Sequence, residues 1–303
     1  MNVLIVGSGV IGTVYGAHLG AAGHTISVLE HGDRTDVVAE HGLSARDVSS
    51  GVETSAPVTV VFSAGVPDLD VVLVALRRDH LHSAAGALSE IPPSALVLFM
   101  GNNLAGHSGI PSKSSARVAL GFPGVGGSIS AGVATYYRIA QQPTAIEAAD
   151  EPRLTALADA WTARGLPVQR VADMDGWLAY HAVFVASICA ALYRCGTDPK
   201  RLAHSATTLK LMCLAITRGF QELRNAHVGG CPRNLRVLHS RWLTPVATRY
   251  WARAMRSPMG ELAFAAHARH AEPEMRALAG DVITRLGRAE GTVALRELLA
   301  PQP

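Results

Sequence analysis

The sequence predicts an α/β protein with an N-terminal, Rossmann-type doubly wound parallel sheet and an all-helical C-terminal domain. Three observations carry this. Over the first 150 residues, short β-branched runs alternate with Ala-rich stretches, the rhythm of parallel βαβ units. From Glu151 onward those runs give way to Ala, Leu, Arg and Met, as in helical bundles. A chain of 303 residues, 49% hydrophobic, is also long enough for two cores. The boundary is expected near Ala172, giving domains over residues 1–171 and 172–303.

In order, strands are expected at residues 2–6, 25–29, 58–62, 71–75, 95–99 and 116–120, where β-branched residues cluster between turn formers. Helices are expected near residues 10–22, 34–41 and 80–88, the last stopped by Ile91-Pro92-Pro93. Residues 122–127 hold too much glycine for a helix or a regular strand, and residues 135–139 and 144–148 read as antiparallel edge strands. In the second half the helices are expected at residues 177–194, 199–225, 236–255 and 272–287.

Charge and composition narrow the function. The 27 basic and 24 acidic residues are scattered without a long block of one sign, and 5% aromatic content leaves little for base stacking, so no nucleic-acid partner is expected. Met1-Asn2-Val3-Leu4-Ile5-Val6 runs straight into a strand without the marks of a secretion signal, which points to the cytoplasm. Cys189, Cys195, Cys213 and Cys231 form no C-x-x-C pair and read as reduced thiols. The apolar run 177–193 is shorter than a membrane span and includes His181 and Ser187, so it reads as a buried core helix, with no membrane partner. His267, His270, Glu272 and Glu274 spread around a helix or lie in a loop near Pro273, and no metal site is expected.

Gly7-Ser8-Gly9-Val10-Ile11-Gly12 follows an apolar strand and opens a helix, the context in which G-x-G-x-x-G binds a dinucleotide. Gly7 permits the tight turn, Gly9 lets backbone N–H groups approach the pyrophosphate, and Gly12 lets helix pack on strand. The helix N-terminus then faces the phosphates. At the end of the second strand, Glu30 stands where a carboxylate accepts hydrogen bonds from an adenosine ribose, which favours NAD. His31 and Arg34 follow at once, and either would neutralise the 2′-phosphate of NADP if Glu30 turned away.

Four features in order resemble the ketopantoate reductase family, which reduces a 2-oxo acid with NADPH. They are the glycine fingerprint; the strand from Asp70 to Leu76 ending in Arg77, where the family has a cationic residue near the cofactor; Met100-Gly101-Asn102-Asn103, similar to its Asn-Gly turn; and Met259-Gly260-Glu261-Leu262, in the place of its Glu-Ile-Asp segment. The resemblance implies that Asn102 sits beside nicotinamide and substrate and that Glu261 contacts the substrate; the active site is expected in a cleft between domains at the carboxyl ends of the strands, where open α/β folds place ligands.

The family's catalytic helix runs Trp-x-Lys with two Asn at four-residue intervals, and here the sequence departs from it. After Trp177, the positions of Lys, Asn and Asn are held by Ala179, Val183 and Ser187. Residues four apart share a helix face, so this face keeps one hydroxyl, and a substrate other than ketopantoate is implied. Reduction of a carbonyl still needs a proton donor. The candidates are His181, whose imidazole titrates near neutrality, Tyr180, and Glu261 if burial raises its pKa. Trp177 and Ser187 are the helix's candidates for touching the substrate. The leading expectation is an NAD(P)H-dependent reductase of a C=O or C=N group in a small molecule, working as a homodimer with the 177–193 helix available as its interface. The alternatives are a redox-silent isomerase, cyclase or lyase on the same scaffold, and a module that senses a dinucleotide without turnover.

Overall fold

The structure is a computed structural model that describes residues 1–30, 32, 34–81, 83–110, 116–287 and 290–300; His31 lies outside the described residues. The chain forms two compact units, Met1–Gly101 with His107–Met174, and Asn102–Gly106 with Asp175–Pro303. The boundary thus falls slightly after the expected one. The short Asn102–Gly106 segment also belongs to the second unit, which a single cut near Ala172 does not anticipate.

In the first unit an eight-stranded sheet runs, in spatial order, Val168–Val171, Thr144–Glu147, Arg117–Phe122, Leu96–Met100, Val71–Val74, Asn2–Val6, Thr25–Leu29 and Thr59–Val61. All neighbours are parallel except Thr144–Glu147 against Arg117–Phe122. Val71–Val74 and Leu96–Met100 are buried at every position, as expected of parallel strands covered on both faces. That double burial is why they read in the sequence as unbroken apolar runs.

A second sheet of four strands was not expected. Its order is Glu53–Ala56, Leu43–Asp47, Val133–Arg138 and Val125–Ser130. Its last strand corrects the reading of residues 122–127 as too glycine-rich for a strand. A side chain on Gly127 would come within 2.2 Å of the Thr135 carbonyl oxygen, so glycine there lets the two backbones close. Residues 133–138 pair inside this second sheet rather than closing the first. The expected helix at 80–88 is two short pieces, Arg78–Leu81 and Ala85–Leu88.

The core of this unit gathers Ile5, Leu73 and Leu98 from the sheet around Tyr15 and Trp161. The two aromatic rings meet edge to face with centroids 5.0 Å apart, and Trp161 Nε1 donates to the Tyr15 carbonyl at 3.3 Å. Tyr15 in turn shares a 2.6 Å hydrogen bond with Thr144 Oγ1. Trp161→Ala removes the largest fully buried side chain and is expected to cost about 3–5 kcal/mol of unfolding free energy, read from the urea midpoint by far-ultraviolet circular dichroism.

After Met174 every described element is helical. The helix Met174–Arg194 has 21 residues, long and apolar enough to cross a membrane, which corrects the view that the run is too short. Yet 94% of its most apolar window is buried inside the protein, so the run serves as core and does not present a free face for dimerisation. The expected helix at 199–225 is broken at Ser205, whose φ of −91° and ψ of 86° make it the N-cap of Ala206–Asn225. The one expected at 236–255 is two, Arg233–Leu238 and Thr244–Met255. The second restarts with Pro245 in its first turn, where the missing N–H costs nothing. A π-helical turn, Gly260–Ala265, leads through Ala266–His270 to Glu272–Leu286 and then Glu290–Leu299.

Candidate functional site

The glycine fingerprint is built as strand, turn and helix. Gly7 follows the strand Asn2–Val6 with φ of +96°, a conformation open to glycine. A Cβ on Gly12 would lie 2.0 Å from the Gly7 carbonyl oxygen and 2.9 Å from Ile5 Cγ2, so only hydrogen fits between helix and turn. Val10 and Ile11, half-buried, pack on the core and anchor the helix start. Gly9 is the opposite case: it is exposed, and nothing lies within 4 Å of where its side chain would begin. No side chain caps the helix Val10–Ala21. A first turn without a side-chain cap, beside an open Gly9, fits the pyrophosphate of a dinucleotide.

Glu30 and Arg34 both converge on Ser8. The buried Ser8 hydroxyl donates to Glu30 Oε2, and Gly32 N–H donates to Glu30 Oε1 at 3.2 Å. The Arg34 guanidinium donates to the Ser8 carbonyl. Burial draws the Arg34 pKa below its usual value, against the opposing pull of Glu30. Glu30 is thus held at the fingerprint turn rather than turned away from it. Arg77 stands exposed three residues beyond the strand Val71–Val74, with Nη2 3.1 Å from His80 Nε2. Its neighbour Leu76 reaches the Gly7 turn, where a side chain on that glycine would meet Leu76 Cδ2 at 2.7 Å.

In the second unit the predicted residues separate. Asn102 donates from Nδ2 to Glu274 Oε1 at 3.4 Å, and Glu274 is buried in the first turn of Glu272–Leu286. The sequence reading weighs Glu274 only as a metal ligand beside His267, His270 and Glu272 and gives it no contact with Asn102. An acidic residue in a helix first turn usually reflects only the helix dipole.

His181 is buried and stacks on Trp177, with ring centroids 5.1 Å apart and planes 4° from parallel. Burial, reinforced by His267, pushes its pKa down to about 3. It is neutral at physiological pH and is not the imidazolium acid the sequence suggested. The Tyr180 phenol donates to the Val228 carbonyl at 3.0 Å and lies edge-on to Phe220. The Ser187 hydroxyl donates to the Val183 carbonyl one turn back at 2.8 Å, so it returns to its own helix. With Ala179 and Val183 also buried, the face on which the resemblance implies Lys, Asn and Asn is apolar.

Glu261 lies in the π-helical turn. Its side chain is 49% exposed and ion-paired with Arg269, which also donates to the Thr197 carbonyl at 3.0 Å. Glu261 is thus an exposed, ion-paired side chain rather than the buried carboxyl the sequence reading required.

Comparison with known proteins agrees with this geometry. Residues 3–149 match the family of ketopantoate reductase PanE/ApbA. No curated protein sequence matches the chain. Among solved structures, D-mandelate dehydrogenase with NADH and anilino(oxo)acetate is similar at a TM-score of 0.75 and 17% identity, over 99% of this chain and 96% of that one. 2-Dehydropantoate 2-reductase from Methylococcus capsulatus gives 0.72 and 18%, over 99% and 94%. The dimeric ketopantoate reductase from Staphylococcus aureus gives 0.68 and 15%, over 99% and 96%. At these identities the likeness establishes the fold from end to end, while the family match covers the sequence that builds the glycine turn. Residues 3–149 thus match the ketopantoate reductase PanE/ApbA family, and the whole chain shares the fold of these solved structures.

Proposed function

We propose that the protein is an NADH-dependent oxidoreductase that reduces a C=O or C=N group in a small molecule less polar than ketopantoate. One observation carries the cofactor: the Gly7–Gly12 turn closes on itself at Gly12 and opens at Gly9, above uncapped helix amides. When bound, the dinucleotide would supply a hydride. Gly9 and the first-turn amides would hold its pyrophosphate, and Arg77 would balance negative charge at the neighbouring strand end. Glu30, kept in place by Ser8 and Gly32, would accept the ribose hydroxyl and repel a 2′-phosphate, while Arg34 is engaged with the Ser8 carbonyl. This supports NADH over NADPH. The NADH complexes of D-mandelate dehydrogenase lend support by analogy.

The substrate reading rests on the helix Met174–Arg194. Ala179, Val183 and Ser187 supply neither a cation nor an amide for a carboxylate substrate. Trp177, His181 and Phe184 pack as buried rings along the same helix, which makes it apolar beyond that face as well. A homodimer is the proposed assembly, by analogy with the dimeric Staphylococcus aureus enzyme. Four free cysteines, two of them buried, favour a reducing, cytoplasmic setting.

Titration of the protein with NADH and NADPH by nicotinamide fluorescence tests this, followed by a panel of ketones, imines and 2-oxo acids. NADH is expected to bind at least about tenfold more tightly than NADPH, and Glu30→Gln to narrow that gap by relieving repulsion of the 2′-phosphate. Binding without oxidation by any substrate would favour the redox-silent use of the scaffold. Failure to bind either nucleotide would remove the proposal.

A further inference from the structure

The helix Thr244–Met255 has two faces of opposite chemistry. Ala247, Trp251, Ala254 and Met255 are buried. At about 100° per residue, Val246, Arg249, Tyr250 and Arg253 gather in an arc of about 100° on the other side, and all four are exposed. Exposed Arg256 continues this face past the last turn, and Trp242, 76% exposed, precedes it, with the Arg241 guanidinium carbon 4.3 Å from the centre of its ring. Apolar and aromatic side chains left together at a surface mark a place of interaction.

The charge around them is unbalanced. Between Glu222 and Glu261 the chain holds seven arginines, no lysine and no carboxylate. Elsewhere arginines have partners, as Arg46 has Glu53, Arg138 has Asp47 and Arg276 has Glu272. Among the described residues none of these seven forms an ion pair. Trp, Tyr and Arg are the residues in which binding energy concentrates at protein interfaces, and a guanidinium takes a carboxylate through two parallel hydrogen bonds.

We propose that this face docks an acidic amphipathic helix of another protein, its carboxylates on Arg249, Arg253 and Arg256 and its apolar side chains against Trp242, Val246 and Tyr250. A second copy of this chain does not fit, because a two-fold contact would set the same arginines against one another. A lipid surface fits less well, because the guanidinium held over the Trp242 ring would be carried with it toward hydrocarbon. Docking here requires no bound dinucleotide.

The probe is a labelled synthetic helix of about 16 residues, with Glu and Leu repeating at three- and four-residue spacing, titrated with the full-length protein by fluorescence anisotropy. It is expected to bind at least about tenfold more tightly than the same peptide with Lys for Glu, or with Ser for Leu. Salt weakens the binding. The double variant Arg249→Glu/Arg253→Glu is expected to lose about tenfold or more for the Glu peptide and to gain the Lys peptide, and Trp242→Ala to lose about tenfold. Thermal melts confirm folding, and Arg249→Gln/Arg253→Gln serves where the charge reversal does not fold. Failure of the natural protein to bind the Glu peptide overturns the proposal, as does binding that survives both the charge change and Trp242→Ala. Displacement of the peptide by phosphatidylserine-containing phosphatidylcholine vesicles, or by a single-stranded oligonucleotide, bound through these same residues, would assign the face to a lipid or a nucleic acid and overturn it as well.

Discussion

Gly9→Ala is expected to leave the melting temperature unchanged or raise it slightly while weakening NADH binding about 100-fold. Gly9 has φ of −64° and ψ of −168°, a backbone that alanine adopts without strain. Its methyl would meet nothing within 4 Å, so the folded state loses nothing. The unfolded chain loses conformational freedom, and a gain of about 0.4–1 kcal/mol follows. That same methyl would occupy the space through which the first-turn amides reach the pyrophosphate. Gly12→Ala should behave differently. Its methyl would sit 2.0 Å from a backbone oxygen, so the helix must move off the strand, at a cost of about 1–3 kcal/mol or more and a loss of several degrees in melting temperature. Thermal melts paired with NADH titrations separate the two. A Gly9→Ala protein that bound NADH as tightly as the natural one would show that the turn does not hold the pyrophosphate.

Mild acid is expected to destabilise both units. Among the described residues three histidines are buried as neutral rings: His18 and His239, with pKa values lowered to about 4, and His181, lowered to about 3, each chiefly by desolvation. His18 Nε2 lies 3.0 Å from the Tyr136 hydroxyl, and His239 Nε2 accepts from Trp251 Nε1 at 3.1 Å. In the unfolded chain each titrates near 6.5. Between that value and the lowered folded value the unfolded state binds more protons, so stability rises with pH. Stability is complete above about pH 7 and falls as pH drops toward 4. Summed over three sites, the loss between pH 7 and pH 5 should reach about 3 kcal/mol or more. Urea midpoints across this range measure it. His239→Gln and His181→Asn should each flatten the slope, and a slope unchanged in both variants would mean that these rings keep ordinary pKa values when folded.

How much of this was legible in the sequence depends on how local the cause was. The strands Asn2–Val6 and Thr25–Leu29 are readable to the residue, because β-branched runs stand between turn formers. The Leu43–Asp47 and Glu53–Ala56 pair was not. Its sequence is short and polar, and Leu43–Asp47 becomes a strand by pairing with Val133–Arg138, where Ala45 meets Ala134 from far along the chain. In the site, the turn glycines and Glu30 announce themselves because their chemistry is set by neighbours in sequence. Glu261 and Glu274 do not, since the π-helical turn at Gly260 and the burial of the Glu272–Leu286 helix decide which carboxylate is exposed and which lies beside Asn102. For His181 the residue type was visible, whereas the desolvation that keeps it neutral is a property of packing.

The excursion of Asn102–Gly106 into the helical unit bears on how such proteins can be recombined. Gly106 has φ of +59°, and any side chain on it would collide with Asp175 at 1.7 Å, so this segment is fitted to the unit it visits. A crossover after Met174 would therefore deliver a nucleotide-binding cassette still carrying a piece shaped for the helices left behind. Exchange of the helical half, in a lineage or in a laboratory chimera, calls for two grafts at once, and Asn102–Gly106 must travel with the half that resumes at Asp175.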